Sequence, residues 1–174
     1  MILLPDGSNG VSSDWRLVGA GSVKNALMFD DGTTAYVKCD DINERMNIEF
    51  ANPSVAEGDI DISAGMSVRF LSSGRSTHRT LASRVAFDFE VPSGNPQEAA
   101  FYAATRSAFT TVNGTARSDA NGTSGGWTYA DLEALEMKCT KAQTTEVYLS
   151  YLALEVTYTE AVATDNATFF GANF

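Results

Sequence analysis

The stretch "SRVAFDFEV", residues 83 to 91, does most to limit what this chain can fold into. In an extended backbone Val85, Phe87, Phe89 and Val91 fall on one side, while Arg84, Asp88 and Glu90 fall on the other. Period two with charges on the alternate face is the pattern of a half-buried antiparallel strand, wet on one side and packed on the other. Such a strand needs a second apolar layer to cover it. The same alternation recurs at Met46, Ile48 and Phe50, at Met66, Val68 and Phe70, and in "TAYVKC" around residues 34 to 39. A further strand is expected at Trp15 to Val18, and "AAFYAATRSAFTTVNG" is read as one more.

Near the C-terminal end, "GGWTYADLEALEMKC" switches period. Thr128 is placed to cap a short helix with Asp131 three residues on, and Leu132 and Leu135 lie on its inner side. Leu135, Met137 and Cys139 then alternate as a strand. In "EVYLSYLALEVTY", Tyr148, Leu152, Leu154, Val156 and Tyr158 are assigned to one face, and Val147, Leu149 and Tyr151 to a second. A strand apolar on both sides at one end is expected to lie centrally in its sheet. No long amphipathic helix separates the strands, which argues against a parallel βαβ sheet. The expectation is an all-β, antiparallel, jelly-roll-like β-sandwich of about eight strands with one short helix near 128–135. Its expected divisions are an N-terminal arm and loop (1–14), the sandwich (15–158) and a C-terminal arm (159–174).

Charge excludes one class of partner. The net charge is −10, from 22 acidic against 12 basic residues, and the densest basic patch is Arg75, Arg79 and Arg84. Nucleic acid would need more clustered cations than that. No apolar run approaches the roughly 18 residues that would span a membrane, and "MILLPDG" lacks the basic and apolar regions of a secretory signal. Cytosolic synthesis is therefore expected, whatever the destination. Cys39 and Cys139 are far apart and have no metal-ligand spacing, so both are read as buried free thiols.

Candidate chemistry is thin. His78 is the single histidine, sits in a polar loop, and has no Gly-x-Ser-x-Gly elbow to serve. Asp30-Asp31, Asp40-Asp41 and Asp59/Asp61 resemble halves of a glycosidase pair or a calcium loop. None continues into a full ligand pattern, so turns and solvated faces are the expectation. No catalytic residue, cofactor or metal is assigned. Trp15 and Trp127 are the candidates for stacking on a sugar, although Trp127 also suits a plug at the end of the sandwich. Tyr102 and Tyr129 are weaker candidates of the same kind.

Two groups of motifs carry a resemblance. The opening "LLPDG…DWRLVG" leading to "FDDGTTAYVKC" and "IEFANPS", together with "GGWTYADLEALEMKCT…TEVYLSYLALEVTY", resembles jelly-roll-like β-sandwich domains in structural proteins of tailed-phage virions. The likeness spans residues 3 to 158 as a layout. It implies a non-enzymatic virion protein, first a capsid decoration (cement) protein bound to the major capsid protein and to its own copies, as a homo-oligomer such as a trimer. A tail- or fibre-associated carbohydrate-binding module for host adhesion is the alternative. The apolar residues Ile2, Leu3, Leu4, Phe169, Phe170 and Phe174 are the expected partner-binding groups, because burying one Phe contributes roughly 1.5–3 kcal/mol.

Overall fold

Alternation is realised as two stacked antiparallel sheets. The computed structural model describes residues 1–12, 14–28, 34–76, 83–91, 97–104, 108–119, 126–141 and 146–162. In chain order the elements are β1 (Ile2–Leu3), β2 (Pro5–Asn9), β3 (Trp15–Val18), α1 (Val23–Leu27), β4 (Tyr36–Cys39), β5 (Arg45–Phe50) and β6 (Ser67–Ser76). They continue with β7 (Ser83–Glu90), β8 (Gln97–Ala104), β9 (Thr110–Asn113), α2 (Tyr129–Glu133), β10 (Glu136–Lys141) and β11 (Val147–Thr157). The first sheet runs β3-β4-β11-β6-β9, with β1 also paired to β11, and the second runs β2-β5-β10-β7-β8. The chain passes back and forth between the sheets, which gives the jelly-roll-like sandwich expected from the sequence.

The core lies between the layers. Met46, Ile48 and Phe50 of β5, Val85, Phe87 and Phe89 of β7, and Met137 and Cys139 of β10 face inward from the second sheet. Val37 and Cys39 of β4 and Val68 and Phe70 of β6 meet them from the first. Phe70 and Phe87 stack across the gap with ring centroids 4.5 Å apart, an offset aromatic contact worth about 0.5–1.5 kcal/mol beyond area burial. Cys39 and Cys139 are free and buried, one in each sheet. Burial pushes the Cys39 thiol up to about 11 and raises that of Cys139 as well.

The helix expected near 128–135 is α2. Thr128 Oγ1 accepts from Asp131 N at 3.1 Å, and Asp131 Oδ2 accepts from Thr128 N at 2.9 Å, a reciprocal cap that satisfies two otherwise orphaned donors. Leu132 and Leu135 are buried beneath it. The short α1 was not foreseen. Ser22 Oγ accepts from Asn25 N, and Val23, Ala26 and Leu27 turn inward, but five residues are too few to display a helical period.

Three sequence expectations are corrected. Residues 1–9 are not an arm: Ile2 and Leu3 pair with Glu155 and Leu154, the Met1 ammonium donates to Val156 O at 2.8 Å, and Pro5–Asn9 forms the edge of the second sheet against β5. Pro5, at the first position of an edge strand, needs no ladder donor there. Leu3 is only 1% exposed, so it is core and unable to hold a partner; Leu4 is half-buried and Ile2 exposed. Next, the single strand read through residues 99–114 is two strands in different sheets, β8 and β9. Finally, β11 contains a register shift between Leu149 and Tyr151. Ser150 is the extra residue, and it resets the phase. Val147 and Leu149 before it share the core with Leu152, Leu154 and Val156 after it, which leaves Tyr148 on the opposite, outer face. The expected C-terminal contacts through Phe169, Phe170 and Phe174 lie outside the described residues.

The folded N-terminus has a measurable consequence. Leu3→Ala should lower stability by about 2–5 kcal/mol, as for other buried leucines, read from urea unfolding of the full chain. A loss below about 0.5 kcal/mol, the usual scale of a surface change, would restore the arm.

Candidate functional site

Each strand of a sandwich has one face in the core and one in solvent, so a binding surface must come from the outer faces, the edges or the loops. The outer faces differ sharply in chemistry.

On the second sheet, Glu49, Glu136 and Glu90 stand in register across β5, β10 and β7, beside a row of Asn47, Lys138 and Asp88. Like charges directly opposite are destabilising, and amides offset this. Asn9 Nδ2 donates to Glu49 at 2.8 Å and to Glu136 at 3.0 Å; Asn47 Nδ2 donates to Glu90 at 3.0 Å and Glu136 at 3.3 Å. Lys138 Nζ donates to Glu90 Oε1 at 3.0 Å and lies 3.8 Å from Asp88. Burial raises the Asp88 carboxyl, against the pull of Lys138. At the margin is an open cavity of about 240 Å³ bordered by Asp6, Glu49, Glu133 and Glu136 over Phe50 and Leu135. Asn9, Asn47 and Lys138 satisfy the three glutamates of the ladder, which reads as structure.

The first sheet's outer face joins aromatic rings to cations. Arg16, Lys38, Tyr148 and Arg75 form one cross-strand row over β3, β4, β11 and β6. Because Val37 and Cys39 fill the core, Tyr36 and Lys38 must point outward. Tyr36 meets Tyr148 edge-on at 5.4 Å and Phe109, just before β9, at 6.1 Å. Two strands intervene between β4 and β9, a backbone span of roughly 14 Å at about 4.8 Å per strand. The rings therefore converge across the sheet, and Ser73, Gly74 and Ser150 in the intervening strands are small and buried. Arg75 lies against two of these rings, its guanidinium carbon 4.3 Å from the Tyr148 centroid and 5.3 Å from that of Phe109.

Charged pairs border the rings. Glu146 accepts from Lys38 Nζ at 2.9 Å and from the Tyr148 hydroxyl. Burial works to raise the Glu146 carboxyl, but these hydrogen bonds outweigh it and hold it below the usual carboxylate range. Burial, with the bond to Glu146, pushes the Tyr148 phenol up to about 12. Lys38 is raised by its hydrogen bond and charge interaction with Glu146. Arg16 and Asp40 sit 3.4 Å apart with side chains 54% and 38% exposed, so that pair contributes little to stability.

The tryptophans offered from the sequence as sugar platforms do not present a face to solvent. Trp15 is 5% exposed and Trp127 2%. Trp15 sits on the inner side of β3 opposite Cys39. Trp127 stands edge-on to Phe89 at 5.6 Å and donates its indole N–H to Arg117 O at 2.8 Å, so it is a plug. Tyr129 donates its hydroxyl to Val55 O at 2.9 Å, tying α2 to a loop. Asp61 caps the turn at 62–64, accepting from Ser63 N, Ser63 Oγ and Ala64 N, and it forms no pair with Asp59. Asp30, Asp31, His78 and Arg79, and the side chains of Arg84 and Tyr102, lie outside the described residues. Among the described residues no cluster of three or more potential ligands could hold a metal ion. The residues missed from the sequence are Tyr36, Phe109, Tyr148 and Arg75. Alternation alone assigns Tyr36 outward, whereas the bulge hides Tyr148.

No family model matches the chain, and no curated protein matches it. Among solved structures, a family 11 carbohydrate-binding module from Clostridium thermocellum in complex with a β-1,3-1,4-mixed-linked tetrasaccharide aligns with a TM-score of 0.41 at 12% identity, covering 86% of this chain and 84% of that one. The family 11 module of a cellulosomal cellulase from the same organism gives 0.39 at 12%, covering 86% and 82%. A family 4 carbohydrate-binding module gives 0.36 at 12%, covering 85% and 95%. Scores at this level carry no argument about the ligand.

The Glu146 cluster predicts a pH signature. A carboxyl held below its unfolded value, about 4.3 for Glu, stabilises the fold above that pH, and the contribution is lost as pH falls through the lower folded value. Glu146→Gln should therefore be less stable than the parent at pH 7, and the gap should close on acidification below about pH 4. A gap that is constant with pH in urea titrations would contradict the assignment.

Proposed function

We propose that the protein is a non-catalytic carbohydrate-binding β-sandwich whose site is the outer face of the first sheet. The observation that carries this reading is the gathering of Tyr36, Tyr148 and Phe109 around Arg75, bordered by the Lys38–Glu146 and Arg16–Asp40 pairs. A pyranose has an apolar face of C–H groups and a rim of hydroxyls. Aromatic rings match the first, and planar polar side chains match the second. Tyr148 is nearly covered and forms the floor, while Tyr36 and Phe109 are half-buried and keep ring surface available.

A hydrolytic role is disfavoured by the same geometry. A glycosidase keeps one carboxyl protonated near neutral pH to act as the acid. Glu146, hydrogen-bonded to Tyr148, Lys38 and Asp40, is held below the usual carboxylate range, which makes it a poor acid; Asp40, which contacts it, also pairs with Arg16 at 3.4 Å.

The sequence resemblance to virion domains supports placing this module on a phage particle, where sugar binding would serve attachment to a host surface. Capsid decoration is the second reading. One half of that reading, the contacts through Phe169, Phe170 and Phe174, lies outside the described residues. Its other half, the N-terminal arm, is taken up in the sheets.

A glycan array separates the two. The parent should bind at least one glycan class, and Tyr36→Ala should weaken that binding about tenfold or more, equivalent to about 1.4 kcal/mol, at an unchanged melting temperature. Absence of binding to every glycan, together with co-sedimentation with capsids, would replace this reading by the second.

A further inference from the structure

Among the described residues, Arg75 on the first sheet's outer face is a cation without a carboxylate partner. Arg16 has Asp40 and Lys38 has Glu146, but among the described residues no carboxylate pairs with Arg75. Its Nε is buried without a hydrogen-bond partner, and its guanidinium carbon lies within 4.3 Å and 5.3 Å of two ring centroids. The two rings lie over the guanidinium beside its buried Nε, and a polar atom cut off from water costs free energy unless another group supplies what water did. The cation–π attraction returns part of that, without using the in-plane N–H donors of a guanidinium. In a chain with 22 acidic and 12 basic residues, a carboxylate to pair with is the commoner environment for an arginine.

We propose that this face selects a sugar unit carrying a single negative charge, a carboxylate or a sulfate ester, and that Arg75 is the residue that reads it. The inference rests on the carbohydrate-binding reading above and deepens it. A guanidinium presents a planar fork of donors that meets two oxygens of one anionic group in parallel, which an ammonium cannot do. Tyr148 and Phe109 fix the plane of that fork, so little side-chain freedom remains to be lost on binding. The neighbouring carboxylates of Glu146 and Asp40 favour a monoanion over a phosphate, whose charge near −2 would be repelled more strongly. The overall negative charge of the protein does not forbid this, because screening confines exposed charges to about 8 Å at physiological salt. Within that distance Arg75 is answered by the ligand, and Arg16 and Lys38 by their own partners.

The test is an array of uronate-bearing, sulfated and neutral glycans, probed with the parent, Arg75→Gln and Arg75→Lys, with melting temperatures as the control for folding. The expected result is that bound glycans are acidic. The uronate and sulfate arms identify which group is read, and binding should weaken as salt rises. Arg75→Gln should weaken it at least about thirtyfold, the low end for removing one partner of a desolvated charge pair. Arg75→Lys, which keeps the charge and loses the fork, should also fall well short of the parent; it serves as the variant should the glutamine form fail to fold. Binding of neutral glycans unchanged by Arg75→Gln would overturn this inference and leave the carbohydrate reading standing. Acidic glycans bound equally by parent and variants would remove Arg75 as the reader. No binding to any glycan would overturn both.

Discussion

Strand β11 ties the molecule together, because it pairs with β4, β6 and β1 and its one irregularity decides which side chains are core. A regular strand would have put Val147 and Leu149 on one side and Leu152, Leu154 and Val156 on the other. That would force two or three aliphatic side chains into water, each at roughly 1.5–3 kcal/mol. The extra residue at Ser150 brings all five inward. Its cost is local: the Ser150 hydroxyl is buried without a partner among the described residues, a penalty of about 1–3 kcal/mol. The trade favours the bulge by a clear margin.

The same bulge makes the candidate site. With Leu149 inward, Tyr148 is outward, directly opposite Lys38 on β4 and Arg75 on β6. Rings from β4 and from the approach to β9 lean together beside it, Tyr36 lying 5.4 Å from Tyr148 and 6.1 Å from Phe109. Bulges commonly re-aim a side chain beside a functional surface, and here the re-aimed residue holds both the cation and Glu146. The second sheet solves a different problem. Its row of glutamates is stabilised by Asn9, Asn47 and Lys138 from within the sheet, so the carboxylates of that row are already matched and have little to offer a ligand.

Much of the architecture was legible because period two survives intact in β5, β7 and β10. Val85, Phe87 and Phe89 could have only one buried side, and Thr128 with Asp131 announced α2 through cap chemistry. The rest was hidden for identifiable reasons. "PDGSN" is written in turn residues, yet an edge strand asks for a ladder on one side only and tolerates them. β1 has two residues and no period to show; it is held by pairing with distant β11. The break between β8 and β9 follows from a change of sheet, which local composition does not encode. Among site residues, the alternation of Val37 and Cys39 turns Tyr36 outward without marking it as a site, and Tyr148 is placed with Leu152, Leu154 and Val156 because alternation is carried through a position where the backbone inserts a residue. The tryptophans misled by type: a large flat ring serves equally to close the end of a sandwich, and burial decides between the uses.

The account makes one face of one sheet the place where ligand meets protein. Backbone amide NMR of the full chain, titrated with the tightest-binding array glycan, tests this most directly. Shifts confined to the amides of β4, β6 and β11 around Tyr36, Lys38, Arg75 and Tyr148, with Phe109, are predicted. Shifts centred on Asn47, Glu90 and Glu136 of the second sheet, with the first unmoved, would contradict it.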